Sequence, residues 1–197
     1  MTPRKYSLGK RAKSVEHTRQ RIVDAVVALH REKGIAATSH DDIARRADVA
    51  VATVYRHFPT IGDIVPACGA QILTITRPPM PAEVLAPGVP AERITRTIPE
   101  MFAFWGRIAP WQEKAICDAA EIPALREALD QGDQYHRAIV TAMLQGVTSA
   151  EDDIRLVMAL TGFHAWRAFH EQGLDAEAPE TVTEILLRRF GIEAAGT

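Results

Sequence analysis

Residues 34–64 read GIAATSHDDIARRADVAVATVYRHFPTIGDI, and this stretch decides the fold. Gly34 closes a preceding helical pattern, because glycine enters the left-handed backbone of a helix end without steric cost. Thr38-Ser39 stand before Asp41-Asp42, and the Ser39…Asp42 spacing is that of a capping box opening a short helix with Ile43, Ala44 and Ala47. Asp48 falls where the chain must turn. A second short helix runs from Ala50 to His57 and stops at Pro59, with Thr60 placed to cap the next one. Helices of about eight residues do not persist alone, so both need a third to pack on. Ile22, Ala25, Val26 and Leu29 supply it, recurring at i, i+3, i+4 and i+7 over the helix at 15–33. With Ile43, Ala44, Ala47, Val49, Val54 and Phe58 inside, the three form a helix-turn-helix arrangement.

On the second short helix Val54 and Phe58 face inward. That leaves Val51, Ala52, Thr53, Tyr55, Arg56 and His57 along the open sides. Small residues at 50–52 admit a groove wall. Thr53 and Tyr55 offer hydroxyls to phosphates or base edges, and Arg56 has the fork that fits guanine. His57, Thr60 and the Thr38 and Ser39 hydroxyls suit phosphate oxygens, the last two at a helix N-terminus where the dipole favours an anion.

The stretch resembles the DNA-binding signature of the TetR family. The resemblance is carried by Gly34, Thr38-Ser39, Ile43-Ala44, Ala47, Val49, Thr53, Tyr55, His57-Phe58 and Thr60, and covers roughly residues 17–65. Two positions depart from it. Asp48 stands where the family has glycine, and Asp tolerates a left-handed turn better than most residues. Ile61-Gly62 stand where the family carries a phosphate-binding lysine.

The charge distribution agrees with a polyanion-binding head. The 197 residues carry a formal net charge of −2, yet residues 1–60 hold twelve Lys and Arg against six Asp and Glu, and the remainder is acidic. Arg4, Lys5, Lys10, Arg11 and Lys13 lie in a segment without apolar period, read as a flexible basic arm over 1–13. We expect it to take the place of the missing lysine by lying along the DNA backbone or in the minor groove, as arms do in other helix-turn-helix proteins. The helix-turn-helix domain is then 14–62 and the effector-binding and dimerisation domain 63–197.

The body also reads as helical, for about nine helices in all, and period-two alternation is absent. Five prolines over 78–90 read as an exposed loop. Ile94, Ile98, Met101, Phe102 and Trp105 form a stripe, with Pro99 a kink or a start. Pro110 and Pro123 open two further helices, Ser149…Asp152 caps a long one ending at Gly173, and Ala178 or Pro179 starts the last. The resemblance implies a body that binds a small-molecule effector, pairs through its last two helices as a homodimer, and releases a pseudo-palindromic operator, in the manner of a repressor. For the pocket we expect Met101, Phe102, Trp105 and Trp111 with Gly132, His136 and Met143, an apolar cavity with one orienting polar group. For the dimer face we expect Leu156, Leu160, Phe163 and Arg167 with Val182, Ile185 and Leu186, because the helix at 150–172 is apolar on two opposed faces.

Catalytic motifs are missing: there is no G-x-S-x-G elbow, phosphate-cradling loop, H-E-x-x-H or dinucleotide fingerprint. His164 and His170 are six apart, off a common helix face, so neither a metal nor a cofactor is expected. Apolar runs are too short to span a bilayer, and two unclustered cysteines, Cys68 and Cys117, suit a reducing cytoplasm. The alternative is a small helical ligand carrier or enzyme whose basic head is incidental; it predicts no affinity for DNA.

Overall fold

The computed structural model describes residues 7–85 and 88–193. These residues form ten helices and no strand: α1 (Ser7–Lys33), α2 (His40–Ala47), α3 (Val51–His57), α4 (Ile61–Thr76), α5 (Pro81–Val84), α6 (Pro90–Asp118), α7 (Pro123–Met143), α8 (Glu151–Thr161), α9 (Phe163–Glu171) and α10 (Ala178–Arg189). The all-helical expectation holds, with element boundaries that differ in four places.

The first is the start of α1, at Ser7 rather than near Ser14, so half of the expected arm is helix. Arg4 and Lys5 lie outside the described residues, as do the side chains of Lys10 and Arg11; Lys13 is exposed on α1. The second is the proline-rich stretch, in which α5 forms a single turn. Pro81 sits at its first position, where a missing N–H costs nothing, and Val84 is buried beneath it. The third is α6, which runs unbroken through Pro99 and Pro110. A proline removes one ladder bond at about 3 kcal/mol. The buried stripe Ile94, Ile98, Met101, Phe102, Trp105 and Ile108 spans that position, and each such side chain contributes about 1.5–3 kcal/mol. The fourth is the helix expected over 150–172, which breaks at Gly162 (φ −81°, ψ 171°) into α8 and α9. Its cap differs too: Thr148 Oγ1, not Ser149, accepts from the Ala150 amide (3.1 Å) and donates to Asp153 (2.9 Å).

The chain divides into two compact units. One holds the residues up to Ile75 together with Pro110–Leu129; the other holds Thr76–Ala109 and the residues from Asp130 onward. The boundary therefore falls well past the expected residue 62. The reason is a shared core: Ile35, Val65, Ala119 and Leu125 cluster, with Ile61, Ile122 and Leu129 packed against them. This ties α4 and the end of α6 to the first unit. Trp111 Nε1 donates to the Val27 carbonyl (2.9 Å), the Arg31 guanidinium lies over the Trp111 ring (5.4 Å), and Asp118 accepts from the Ala36 amide (3.0 Å). Asp118 also crowds Gly34, where a Cβ would sit 2.7 Å from its carboxylate, so φ +87° and close approach both demand glycine.

Candidate nucleic-acid interface

The helix-turn-helix is built outward from α1. Ile22, Ala25, Val26 and Leu29 are all buried, and α2 packs on this face with Ile43, Ala44 and Ala47 inward. The capping box forms: Ser39 Oγ accepts from the Asp42 amide (3.2 Å) and Asp42 accepts from the Ser39 amide (3.1 Å). Lys33 (2.7 Å) and Ser39 bond to Asp42 and hold its carboxyl well below the usual carboxylate range. Asp48 then adopts the left-handed backbone expected of it (φ 51°, ψ 56°). Arg21 secures that turn by donating to the carbonyls of Ala47 (2.6 Å) and Asp48 (2.8 Å) and pairing with the Asp48 carboxylate (3.2 Å). A cation on the last carbonyls of α2 completes its end.

Past this turn α3 buries Val54, with Phe58 behind it under Arg19 (5.3 Å). The face left to solvent carries Ala52, Tyr55 and Arg56, flanked by half-buried Val51, Thr53 and His57. Burial, with Arg56 and Arg19 nearby, lowers the His57 pKa, so this imidazole is neutral near pH 7. Three expected hydroxyl contacts are already committed. Thr38 is buried and donates to the Gly34 carbonyl (2.6 Å). Ser39 Oγ donates to Asp42 (2.8 Å), and Thr60 Oγ1 donates to Asp63 (2.7 Å) while capping α4. Ile61, at the family's lysine position, packs on the Ile35–Val65 cluster.

Two residues of this surface were not singled out from sequence. Arg21 is one. The other is His40, whose ring stacks on Tyr55 with centroids 4.0 Å apart and planes 6° from parallel. A pair of aromatic residues fifteen positions apart leaves no periodic trace; only the tight turn brings them together.

This head has relatives. Residues 22–68 match the profile of the bacterial regulatory proteins, tetR family. Over these residues the chain is similar to the TetR family. The HTH-type transcriptional repressor KstR of Mycolicibacterium smegmatis is 39% identical over 77 residues, 39% of this chain and 37% of that protein. The chain thus matches little more than a third of that relative's length. Among solved structures, a transcriptional regulator from Rhodococcus sp. Rha1 superposes with TM-score 0.69 at 20% identity, covering 88% of this chain and 98% of that one. The multidrug binding protein EbrR, complexed with ethidium, does so with TM-score 0.58 at 25% identity, covering 87% and 96%. The fold likeness therefore extends beyond the TetR head to the second unit.

In the second unit, most of the residues expected to line a pocket lie inside, and Trp105 and His136 meet. Met101, Phe102, Trp105, His136 and Met143 are all buried. The break at Gly162 leaves the Thr161 carbonyl to Trp105 Nε1 (2.7 Å), and the Trp105 and His136 rings meet edge to face at 5.7 Å. Thr161 Oγ1 donates to the Val157 carbonyl (2.7 Å), so it must accept from His136 Nε2 (2.9 Å). His136 therefore carries its proton on Nε2, and burial pushes its pKa down to about 4. Two expected members stand apart: Gly132 is exposed on α7, and Trp111 lies in the first unit.

The expected dimer face is corrected likewise. Phe163, Val182 and Leu186 are buried in the chain's own core, at 5%, 1% and 0% exposure, and α9 and α10 both pack on α8. Leu156 and Ile185 remain outside, 38% and 45% exposed on the adjacent helices α8 and α10, with Leu160 and Arg167 half-buried.

Proposed function

We propose that the chain is a DNA-binding transcriptional regulator that uses α3 to read an operator. The observation that carries this is the solvent-facing row Ala52, Tyr55 and Arg56, mounted on a helix whose angle is set by the left-handed turn at Asp48. A small residue, a neutral hydroxyl and a guanidinium fork side by side suit a major groove wall, a phosphate and a guanine edge. The match of residues 22–68 to a family of regulatory proteins supports the reading. Basic residues near the N-terminus supply backbone contacts in place of the family lysine, and removing residues 1–6, which spares α1, weakens binding and flattens its salt dependence.

A homodimer on a pseudo-palindromic site follows if the α8–α10 face, with Leu156 and Ile185 at its centre, meets a second copy. Repression is the direction we propose, in keeping with the KstR relatives named as repressors. Release comes from a small molecule in the second unit, oriented by His136. EbrR, a multidrug binding protein seen with ethidium, supports a small-molecule effector. Replacing His136 by Ala then alters release without changing DNA binding in its absence. Among the described residues no single helix is long and apolar enough to cross a membrane, and we place the protein in the cytoplasm with the DNA.

The test is fluorescence anisotropy on duplexes from the region upstream of the protein's own gene, titrated over salt. Binding that falls with a log–log slope of roughly −0.9 for each phosphate neutralised supports the reading. Salt-insensitive or absent binding favours a ligand carrier with an incidental basic head.

A further inference from the structure

We propose that His40 is a positioning residue for DNA contact, holding the Tyr55 ring so that its hydroxyl meets a backbone phosphate; the proposal rests on the DNA-binding reading above. His40 is the first residue of α2 and does not belong to the recognition helix. Its Nε2 lies 3.0 Å from the Phe58 carbonyl, and a carbonyl only accepts, so Nε2 carries the proton. The imidazole is thereby anchored at both ends, by its own backbone on α2 and by the residue that closes α3. With Nε2 so engaged the ring presents one face to Tyr55, which lies flat against it, 4.0 Å away and 6° from parallel. Tyr55 is itself 51% exposed and has no other ring contact among the described residues. The imidazole restricts the Tyr55 side-chain torsions from a neighbouring helix.

The consequence is chemical. Stacking leaves the phenol edge outward, and the Tyr55 hydroxyl has no hydrogen-bond partner among the described residues, in contrast to the committed hydroxyls of Thr38, Ser39 and Thr60. A hydroxyl held in one place by a neighbouring helix, on the face that carries Ala52 and Arg56, is a preformed neutral donor. It takes a phosphate oxygen without the ordering cost that a freely rotating tyrosine would incur. Phosphate contacts fix register, so His40 acts on affinity through Tyr55 and not through any base.

A double-mutant cycle tests this, with a labelled duplex that the wild-type protein selects from a random pool. Removing the hydroxyl in Tyr55→Phe lowers affinity about tenfold, the size of a hydrogen bond to a charged acceptor. His40→Ala lowers it about fivefold, the size of one aromatic pair. The double variant binds no more weakly than Tyr55→Phe alone, and His40→Phe, which keeps the stack, stays within about twofold of wild type. The salt slope is unchanged throughout, because the contact is neutral; a displaced recognition helix would lose charged contacts and flatten it. Wild-type affinity in His40→Ala, effects that multiply in the double variant, or a flattened slope would each overturn the proposal. If His40→Ala does not fold, His40→Gln keeps a donor for Phe58 and loses the stack; equal affinity of His40→Gln and His40→Phe overturns it in that case. A wild-type protein that selects no duplex defeats the DNA-binding reading itself, whereas additive variants of a DNA-binding wild type defeat only the role of His40.

Discussion

Acidifying the protein from pH 7.5 to pH 5 sets two buried imidazoles against the fold, and the effect can be sized. Burial lowers the pKa of His136 from 6.5 to about 4, and that of His30 from 6.5 to about 4 with Asp118 partly opposing. In each case the unfolded chain takes up the proton first. Stability is therefore complete above about pH 7.5, falls as pH drops through 6.5, and stops falling only near 4. At 1.36 kcal/mol per unit, His136 contributes about 3 kcal/mol over the whole window and about 2 kcal/mol of it is lost by pH 5. The structure gives no compensating anion to His136, whose ring meets Thr161 and Trp105. The depressed carboxylates Asp42, Asp63 and Glu151 begin to act only below their ordinary range, so pH 5 isolates the histidines. Urea unfolding at pH 7.5, 6.0 and 5.0, followed by tryptophan fluorescence and far-ultraviolet circular dichroism, reads the loss. His136→Leu flattens the dependence by roughly one histidine's share, although it also removes the bond to Thr161 at every pH. A urea midpoint that does not move between pH 7.5 and 5, or a His136→Leu variant with the wild-type slope, refutes the reasoning.

At the turn, Asp48→Val forces a β-branched side chain into the left-handed backbone and destabilises by about 1–2 kcal/mol in urea unfolding. Asp48→Gly relieves strain but loses an exposed pair with Arg21, and stays within about 0.5 kcal/mol of wild type. On the reading helix, Arg56→Ala costs about 1–3 kcal/mol of binding and relaxes preference at one base pair, seen by competition among singly substituted duplexes. On the second unit, Leu156→Asp with Ile185→Asp leaves thermal stability nearly unchanged, since both side chains are exposed, and converts the sedimenting species from dimer to monomer.

The head was legible in sequence because its signals are local and redundant. The Gly34 stop, the Ser39–Asp42 box, the left-handed Asp48 and the Thr60 cap each lie within a few residues of the backbone they shape, and all appear as expected. What failed in the head was tertiary. Thr38 looked like an open hydroxyl and is buried on Gly34, while His40 looked unremarkable and stacks on Tyr55. In the body the failures share one cause, that burial outvotes local punctuation. Pro99 and Pro110 do not stop α6 because apolar residues on both sides of each are packed. Gly162 does break α8 from α9, although no helix end was legible there. That break changes which residues face where, so Phe163, read as part of an outward face, turns into the core.

The same break explains why the body's polar groups are spent as they are. A helix running on from α8 would satisfy the Thr161 carbonyl within its own ladder. At Gly162 the ladder is interrupted; a Cβ there would lie 2.9 Å from the Met158 carbonyl, so the kinked path is open to glycine and closed to larger residues. The freed carbonyl takes the Trp105 indole, the Thr161 hydroxyl turns back to Val157, and its remaining lone pair takes His136. One glycine thus accounts for the position of a tryptophan on α6 and for the tautomer of a histidine on α7. Replacing Gly162 by Ala would press on that whole arrangement at once, and its effect belongs with the body's polar chain and not with the α3 surface. The reading face is set by the Asp48 turn and by His40, while the proposed effector site is set by the Gly162 break, so the two functions answer to different backbone irregularities in different units.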